Sequence, residues 1–183
     1  HERGTAEGFQ NASPLFELRG FDVIWDIPLD PMHLFHIGLT KSIWERIFIR
    51  STRLLTAQER QKYVRAINAV VEEMSWPSEF QRRSKQVDAK WKASEWQAFD
   101  SFLLPEIACF TLEGCPGIQK LLCLYCFIVR ACYIDVDAFD DAELSVSLDR
   151  CLLSFCEQYQ ELLGVQAMSY NPHIVSHIFE CRR

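Results

Sequence analysis

The stretch "DPMHLFHIGLTKSIWERIFI" (30–49) decides the fold class of this 183-residue chain. Asp30 followed by Pro31 predicts a helix start, because an aspartate side chain caps unpaired backbone N–H groups and proline suits the first helical position. Apolar residues then recur every three or four positions to about residue 50, as on the buried face of a helix. The stretch therefore predicts a long amphipathic helix.

Helical signals continue along the rest of the chain. Thr56 and Glu59 form the capping box "TAQE", which predicts a second helix that ends before Pro77. A third helix, "EWQAFDSFLLPEIACF", is expected to be capped by Ser94 and kinked or broken at Pro105. A fourth follows the turn "GCPG" (114–117) and runs to about residue 133.

The last two predicted helices carry equally clear boundary signals. Gly164 should end the fifth helix as a left-handed cap, and Asn171 before Pro172 should open the sixth. Residues 1–20 look like an extended lead-in, and "FDVIWDIPL" (21–29) is the best strand candidate. We therefore predict an all-α domain over 21–183, with about six helices in an irregular bundle and one short extended N-terminal segment.

Composition limits the classes of function. Hydrophobic residues make up 49% of the chain and charged residues 24%, which is typical of a globular domain. The net charge of −6 means that any contact with nucleic acid must be local. No apolar run approaches the roughly 20 residues that span a bilayer, so no membrane partner is expected. The cysteines fall in apolar helical patterns, which predicts reduced thiols in an intracellular protein.

Two of the five histidines, His173 and His177, lie four residues apart near the end of the chain. At that spacing both imidazoles leave the same side of a helix and could supply half of a zinc site. The alternative is a helix face with one buried, hydrogen-bonded histidine and one solvated histidine. A hydrolytic zinc site is disfavoured, because the metalloprotease motif needs a glutamate where Ile174 stands.

The helix start at "DPMHLFH" holds a second candidate group. Asp30, His33 and His36 are spaced so that they could share one side of the first turns. In a structural interpretation Asp30 caps the helix and His33 reaches back to it. In a functional interpretation Asp30 and His33 lie near a cleft, beside a metal or a phosphate.

A basic segment precedes the third helix. Five cations occur within eleven residues, against one acid, Asp88. They are Arg82, Arg83, Lys85, Lys90 and Lys92. Trp91 and Trp96 stand among and after them, a composition that suits a local contact with a phosphate backbone. A solvated surface loop is the alternative.

Three blocks of the sequence together resemble the transposases of CACTA (En/Spm-like) elements and their animal relatives. The blocks are "SPLFELRGFDVIWDIPLDPMHLFHIGLTKSIWE" (13–45), "PSEFQRRSKQVDAKWKASEWQAFDSFLLP" (77–105) and "AMSYNPHIVSHIFECRR" (167–183). That superfamily is also related to the catalytic subunit of the V(D)J recombinase. The resemblance implies a helical insertion domain in an RNase H-like core, whose acids hold divalent metals such as Mg²⁺ for DNA cleavage and strand transfer.

The resemblance also implies a role for the late histidine pair. In this family a zinc ion ties the insertion together through an upstream CxxC and the late histidines, which here would be His173 and His177. The partner cysteines and the final catalytic acid would then lie outside this chain, which we expect to be an excerpt and inactive alone. Nuclear location, DNA, the rest of the parent transposase and a homo-oligomer partner are implied. The alternative is a domesticated remnant that acts as a helical protein-interaction module.

Overall fold

Helix α1 begins where Asp30 and Pro31 predict and continues without a break to residue 50. It consists of Met32–Thr40 and Glu45–Arg50, which are wound as π-helix, and the α-helical Lys41–Trp44 between them. The side chain of Asp30 accepts a hydrogen bond from the N–H of Met32 at 2.9 Å. This bond satisfies one of the backbone donors that a helix start leaves unpaired, as the sequence predicts.

The computed structural model describes residues 19, 30–76, 86–133, 142–168 and 170–175, with only the backbone described for 142–145, 170 and 173. The described residues form helices around one apolar core, which confirms the predicted all-α class. Apart from residue 19, the predicted lead-in 1–20 and the predicted strand 21–29 lie outside the described residues. None of the described helices has the length and apolar character needed to cross a membrane.

Helix α2 spans Ala57–Glu73 and starts with the predicted capping box. The Thr56 hydroxyl accepts a hydrogen bond from the N–H of Glu59 at 3.2 Å, and the Glu59 carboxylate accepts one from the N–H of Thr56 at 2.8 Å. Two unpaired donors are satisfied by one pair of side chains. The predicted start is confirmed, and the helix ends before Pro77 as expected.

Helix α3 starts earlier than the predicted cap at Ser94 and is not broken at Pro105. Its consecutive segments are Ala93–Ala98, Phe99–Leu103, Leu104–Glu106 and Ile107–Thr111. It starts one residue before Ser94, because Glu95 accepts a hydrogen bond from the N–H of Lys92 at 2.8 Å and so fixes the first turn. Pro105 does not break the helix. The turns on either side are π-wound, which changes the hydrogen-bond register around a residue that has no N–H.

Helices α4 and α5 follow the predicted boundaries, whereas α6 begins at Tyr170, one residue before its predicted cap Asn171. Helix α4 is Pro116–Cys132, helix α5 is Ala142–Leu163, a 3-10 turn covers Val165–Ala167, and helix α6 is Tyr170–Val175. Gly164 has a φ angle of 86°, which glycine adopts readily, and its N–H bonds to the carbonyl of Gln160 at 2.8 Å. Gly164 therefore ends α5, as predicted.

The core lies where α1, α3, α4 and α5 meet. Its fully buried large side chains include Phe35, Trp96, Phe99, Tyr125 and Phe155. The apolar spacing of α1 places Leu39, Ile43 and Ile47 on the same buried face. Burial of each such side chain contributes about 1.5–3 kcal/mol relative to exposure, which is enough to order helices of this length.

Helix α6 packs closely against α1 at Gly38. A β-carbon added to Gly38 would overlap the side-chain nitrogen of Asn171 and would lie 2.6 Å from the carbonyl oxygen of His33. The absence of a side chain at Gly38 therefore lets the C-terminal helix approach the backbone of α1.

Candidate functional site

The start of α1 carries an exposed histidine–aspartate pair. His33 Nδ1 lies 2.6 Å from Asp30 Oδ2, with exposed side-chain fractions of 66% and 51%. The hydrogen bond from His33 lowers the pKa of the Asp30 carboxyl below its usual value. The geometry is that of a helix cap whose third residue reaches back, which is the structural interpretation of these two residues.

The third histidine of the same stretch faces the interior instead. His36 Nδ1 lies 2.5 Å from Oδ2 of Asp100, and the two side chains are 1% and 0% exposed. Asp100 comes from α3, 64 positions along the chain. A carboxylate can only accept, so His36 Nδ1 carries the hydrogen that joins the pair.

Two hydroxyl groups complete the inner part of this network. Thr40 donates to Asp100 Oδ2 at 2.8 Å, and the Tyr125 hydroxyl lies 2.7 Å from Thr40 Oγ1. Tyr125 also donates to the carbonyl of Phe35 at 3.1 Å. Burial, reinforced by the charge of Asp100, holds the pKa of Tyr125 well above its usual range. These bonds link α1, α3 and α4 through groups that would be costly to leave unpaired.

The network reaches the surface through Tyr133. Its hydroxyl lies 2.6 Å from His36 Nε2, and the residue is 52% exposed. Because Nδ1 serves Asp100, Nε2 of a neutral His36 accepts from Tyr133. Burial and then the charge of Asp100 raise the pKa of Tyr133, and Asp30 adds to the rise. The exposed Asp30–His33 pair is therefore close enough to Tyr133 to affect its titration.

Chemically, this arrangement holds the His36 imidazole between the buried carboxylate of Asp100 and the surface hydroxyl of Tyr133, so the ring proton stays on Nδ1. Asp100 accepts three hydrogen bonds, from His36, Thr40 and the hydroxyl of Ser101 at 3.2 Å. We name the set His36, Thr40, Asp100, Tyr125 and Tyr133 the buried polar network. Sequence reasoning grouped His36 with Asp30 and His33 but missed Asp100, because no local spacing relates residues on two helices.

The predicted zinc ligands are only partly covered by the structure. His173 lies in α6 with its backbone alone described, and His177 lies outside the described residues. Among the side chains that the structure does describe, no group of three or more His, Cys, Asp or Glu is placed to hold a metal. Asp30 and His33 form a pair that no third ligand joins among the described side chains. Zinc binding by the histidine pair stays a prediction.

The predicted basic segment is also described in part. Lys90 and Lys92 are exposed on a turn before α3, in which Asp88 Oδ1 accepts a hydrogen bond from the N–H of Lys90 at 2.9 Å. Arg82, Arg83 and Lys85 lie outside the described residues. Trp91 and Trp96 are 7% and 0% exposed and pack against each other in the core. The tryptophans are therefore core residues and offer no face on which a base could stack.

A basic cleft of about 620 Å³ lies beside the second half of α1, and sequence reasoning did not identify it. Its charged lining residues are Lys41, Glu45, Arg46, Arg50 and Arg53. The opposite wall includes Leu162 and Leu163 at the end of α5 and Asn171 of α6. The recurring cations in "KSIWERIFIRSTR" (41–53) indicate a positively charged surface. The other residues that line the cleft come from distant parts of the chain, so the sequence alone does not indicate a cleft.

Comparisons with protein-family models, with curated proteins and with solved structures found nothing that matches this chain.

Proposed function

We propose that this chain is the helical insertion domain of a CACTA-type DNA strand-transfer protein. In this proposal it contacts DNA, contributes the histidine half of a zinc site and has no catalytic activity alone. The divalent metals of the reaction, such as Mg²⁺, would be held by the parent core, and the protein would act in the nucleus. The family resemblance of the three sequence blocks carries the proposal.

The packing of the three blocks supports this proposal. His36 belongs to the first block and pairs with Asp100 of the second at 2.5 Å. Gly38, also of the first block, meets Asn171 of the third. Segments that are far apart in sequence therefore converge on α1, as parts of one functional domain should.

The DNA contact is assigned to the exposed cations before α3. Replacing Lys90 and Lys92 by Gln in the full chain should weaken binding to a duplex DNA and lower the salt slope by about 0.9 for each phosphate contact that is lost. Arg65→Gln/Lys120→Gln is the matched control, because it removes two exposed cations elsewhere. Equal effects of the two variants would remove the segment from the DNA contact.

The zinc part of the same test needs the chain with its upstream parent sequence. Elemental analysis should find about one zinc ion per chain, and His173→Ala/His177→Ala should abolish it. Zinc content that does not respond to these substitutions would reject the assignment of the late histidines.

A second candidate is the helical protein-interaction module. It is favoured by three aromatic residues, Phe102, Phe110 and Phe127, which are 60%, 74% and 45% exposed on α3 and α4. A hydrogen bond links the two helices next to Phe102, where Arg130 donates to the carbonyl of Ser101 at 3.3 Å. A chain that binds no DNA, and whose parent sequence lacks the upstream CxxC and the catalytic acids, would favour this candidate.

A further inference from the structure

The basic cleft stands out because the chain as a whole is acidic. Four cations and one carboxylate line it, whereas the net charge of the whole chain is −6. Glu45 forms an ion pair with Arg50 at 2.9 Å, so its charge is already balanced within the cleft. Lys41, Arg46 and Arg53 remain as surplus positive charge.

The opposing wall does not cancel this charge. The C-terminal end of α5 lies there, and a helix C-terminus carries about half a negative elementary charge. The N–H of Gly164 already bonds to one of the last carbonyls of that helix. Three surplus cations therefore outweigh the helix end, and the cleft should attract anions.

The cations are spread along the cleft. Lys41, Arg46 and Arg50 come from successive turns of α1, and Arg53 follows its end. At 1.5 Å per residue, Lys41 and Arg50 are separated by up to about 14 Å along the helix axis, which corresponds to roughly four nucleotides at 3.4 Å per nucleotide along one strand. Arg46 Nε donates to the hydroxyl of Ser42 at 3.1 Å, which restrains its guanidinium group.

The spread of charge along the site indicates the kind of anion. The charged groups line an open cleft of about 620 Å³ beside the second half of α1, so they can contact several phosphates of one polymer in succession. A sugar–phosphate backbone is narrow and carries evenly spaced charges, so it can follow the wall formed by α1. Arginine also matches the geometry of phosphate oxygens through paired N–H groups.

We propose that the cleft lined by Lys41, Arg46, Arg50 and Arg53 binds the phosphodiester backbone of a nucleic acid. This inference rests on the proposed function and deepens it, because it names a second contact, separate from the basic segment before α3. Sequence-specific contacts are not part of it. The cleft holds the strand by charge, and binding should therefore depend strongly on salt.

The test compares variants with matched changes of charge. Fluorescence anisotropy of the full chain with a labelled 30-nucleotide DNA, single-stranded and duplex, is measured across a salt series. Arg46→Gln/Arg53→Gln, which removes two of the three surplus cations, should weaken binding about tenfold at moderate salt and lower the salt slope for the duplex by roughly 1.8, for two lost phosphate contacts. Arg65→Gln/Lys120→Gln should change neither quantity to that extent. Circular dichroism of each variant checks that the helices are retained.

A second variant tests the same site by a gain of binding. Glu45→Gln removes the carboxylate that engages Arg50, so it should tighten binding and steepen the salt slope. Circular dichroism checks that Glu45→Gln keeps its helices, so a gain of binding by the folded variant keeps the test valid if the arginine variants lose their fold.

The outcomes separate the two proposals. If the arginine variants behave like the control and Glu45→Gln has no effect while the chain still binds DNA, the cleft is not the site and the proposed function stands. If the chain binds neither DNA probe, both proposals fail. Binding to phosphatidylserine vesicles without binding to DNA would also overturn the cleft proposal.

Discussion

Helix α1 carries two histidine–aspartate pairs that have the same chemistry and opposite surroundings. His33 and Asp30 lie 2.6 Å apart at the exposed helix start, whereas His36 and Asp100 lie 2.5 Å apart in the core. The first pair joins residues three positions apart, and the second joins residues 64 positions apart. The nearly equal distances therefore do not indicate how much each pair contributes to the stability of the fold.

The two pairs differ in the free-energy cost of the unpaired group that remains when one partner is removed. At the surface, water replaces the lost partner, and exposed ion pairs contribute little. In the core, removal of one partner leaves a polar or charged group without solvent, which costs far more than the pair itself contributes. The exposed pair shapes a helix end, while the buried pair fixes how α1 and α3 pack.

Breaking the buried pair should have the largest effect. Asp100→Ala leaves His36 and Thr40 without their acceptor, so the free energy of unfolding should fall by about 2–6 kcal/mol, at about 1–3 kcal/mol for each buried donor left unpaired. Urea denaturation monitored by circular dichroism measures this loss. Asp149→Ala, which removes an exposed carboxylate from α5, is the control. A loss no larger than that of the control would mean that the network does not hold the helices together.

High pH should reveal the burial of Cys126, whose pKa also responds to the charge of Asp100, with an intermediate effect. Burial, with the nearby charge of Asp100, raises the pKa of Cys126 to about 12 from a usual value of 9.0. The folded chain therefore holds this proton more tightly than the unfolded chain. The resulting stabilisation is complete below pH 9.0 and is lost towards pH 12, at about 1.4 kcal/mol per pH unit.

The measurement is the dependence of unfolding free energy on pH between about 8 and 11. Cys126→Ala should make this dependence shallower, and Gln97→Ala, at an exposed position that does not titrate, should leave it unchanged. Burial also raises the pKa of Tyr125, which should preserve part of the slope in both variants. Identical slopes in the wild type and in Cys126→Ala would contradict the assigned burial.

Breaking the exposed pair should have the smallest effect. Asp30→Ala removes the acceptor for Met32 N–H and His33, but water reaches both donors, so the loss of stability should be several-fold smaller than for Asp100→Ala. The lowered pKa of Asp30 means that this contribution exists above pH 3.8 and disappears as the pH falls further. Denaturation at pH 7 and at about pH 3 checks both statements. An effect as large as that of Asp100→Ala would remove the contrast between the pairs.

The same contrast explains what the sequence could predict. The Asp30 cap, the Thr56–Glu59 capping box and the end of α5 at Gly164 depend on neighbours within four positions, and all three predictions are confirmed. Apolar periodicity correctly predicted the helical class for the same reason. A kink or a break is expected at Pro105, and the break does not occur, because π-wound turns on either side carry α3 through the proline.

The features that sequence reasoning missed depend on distant segments. Asp100 gave no signal of its pairing with His36, since the contact exists only when α1 and α3 meet. Sequence reasoning groups Trp91 and Trp96 with the cations, but their large apolar surface is buried in the core. The basic cleft needs the ends of α5 and α6 as its second wall, and no spacing within 41–53 could indicate them.

The contact at Gly38 has a consequence for the basic cleft. There is no space between Gly38 and the Asn171 side chain even for a methyl group, so a larger residue at position 38 would have to displace that side chain. Gly38 and Asn171 both line the basic cleft. A substitution at Gly38 would therefore alter the lining of the cleft without changing any of its cations.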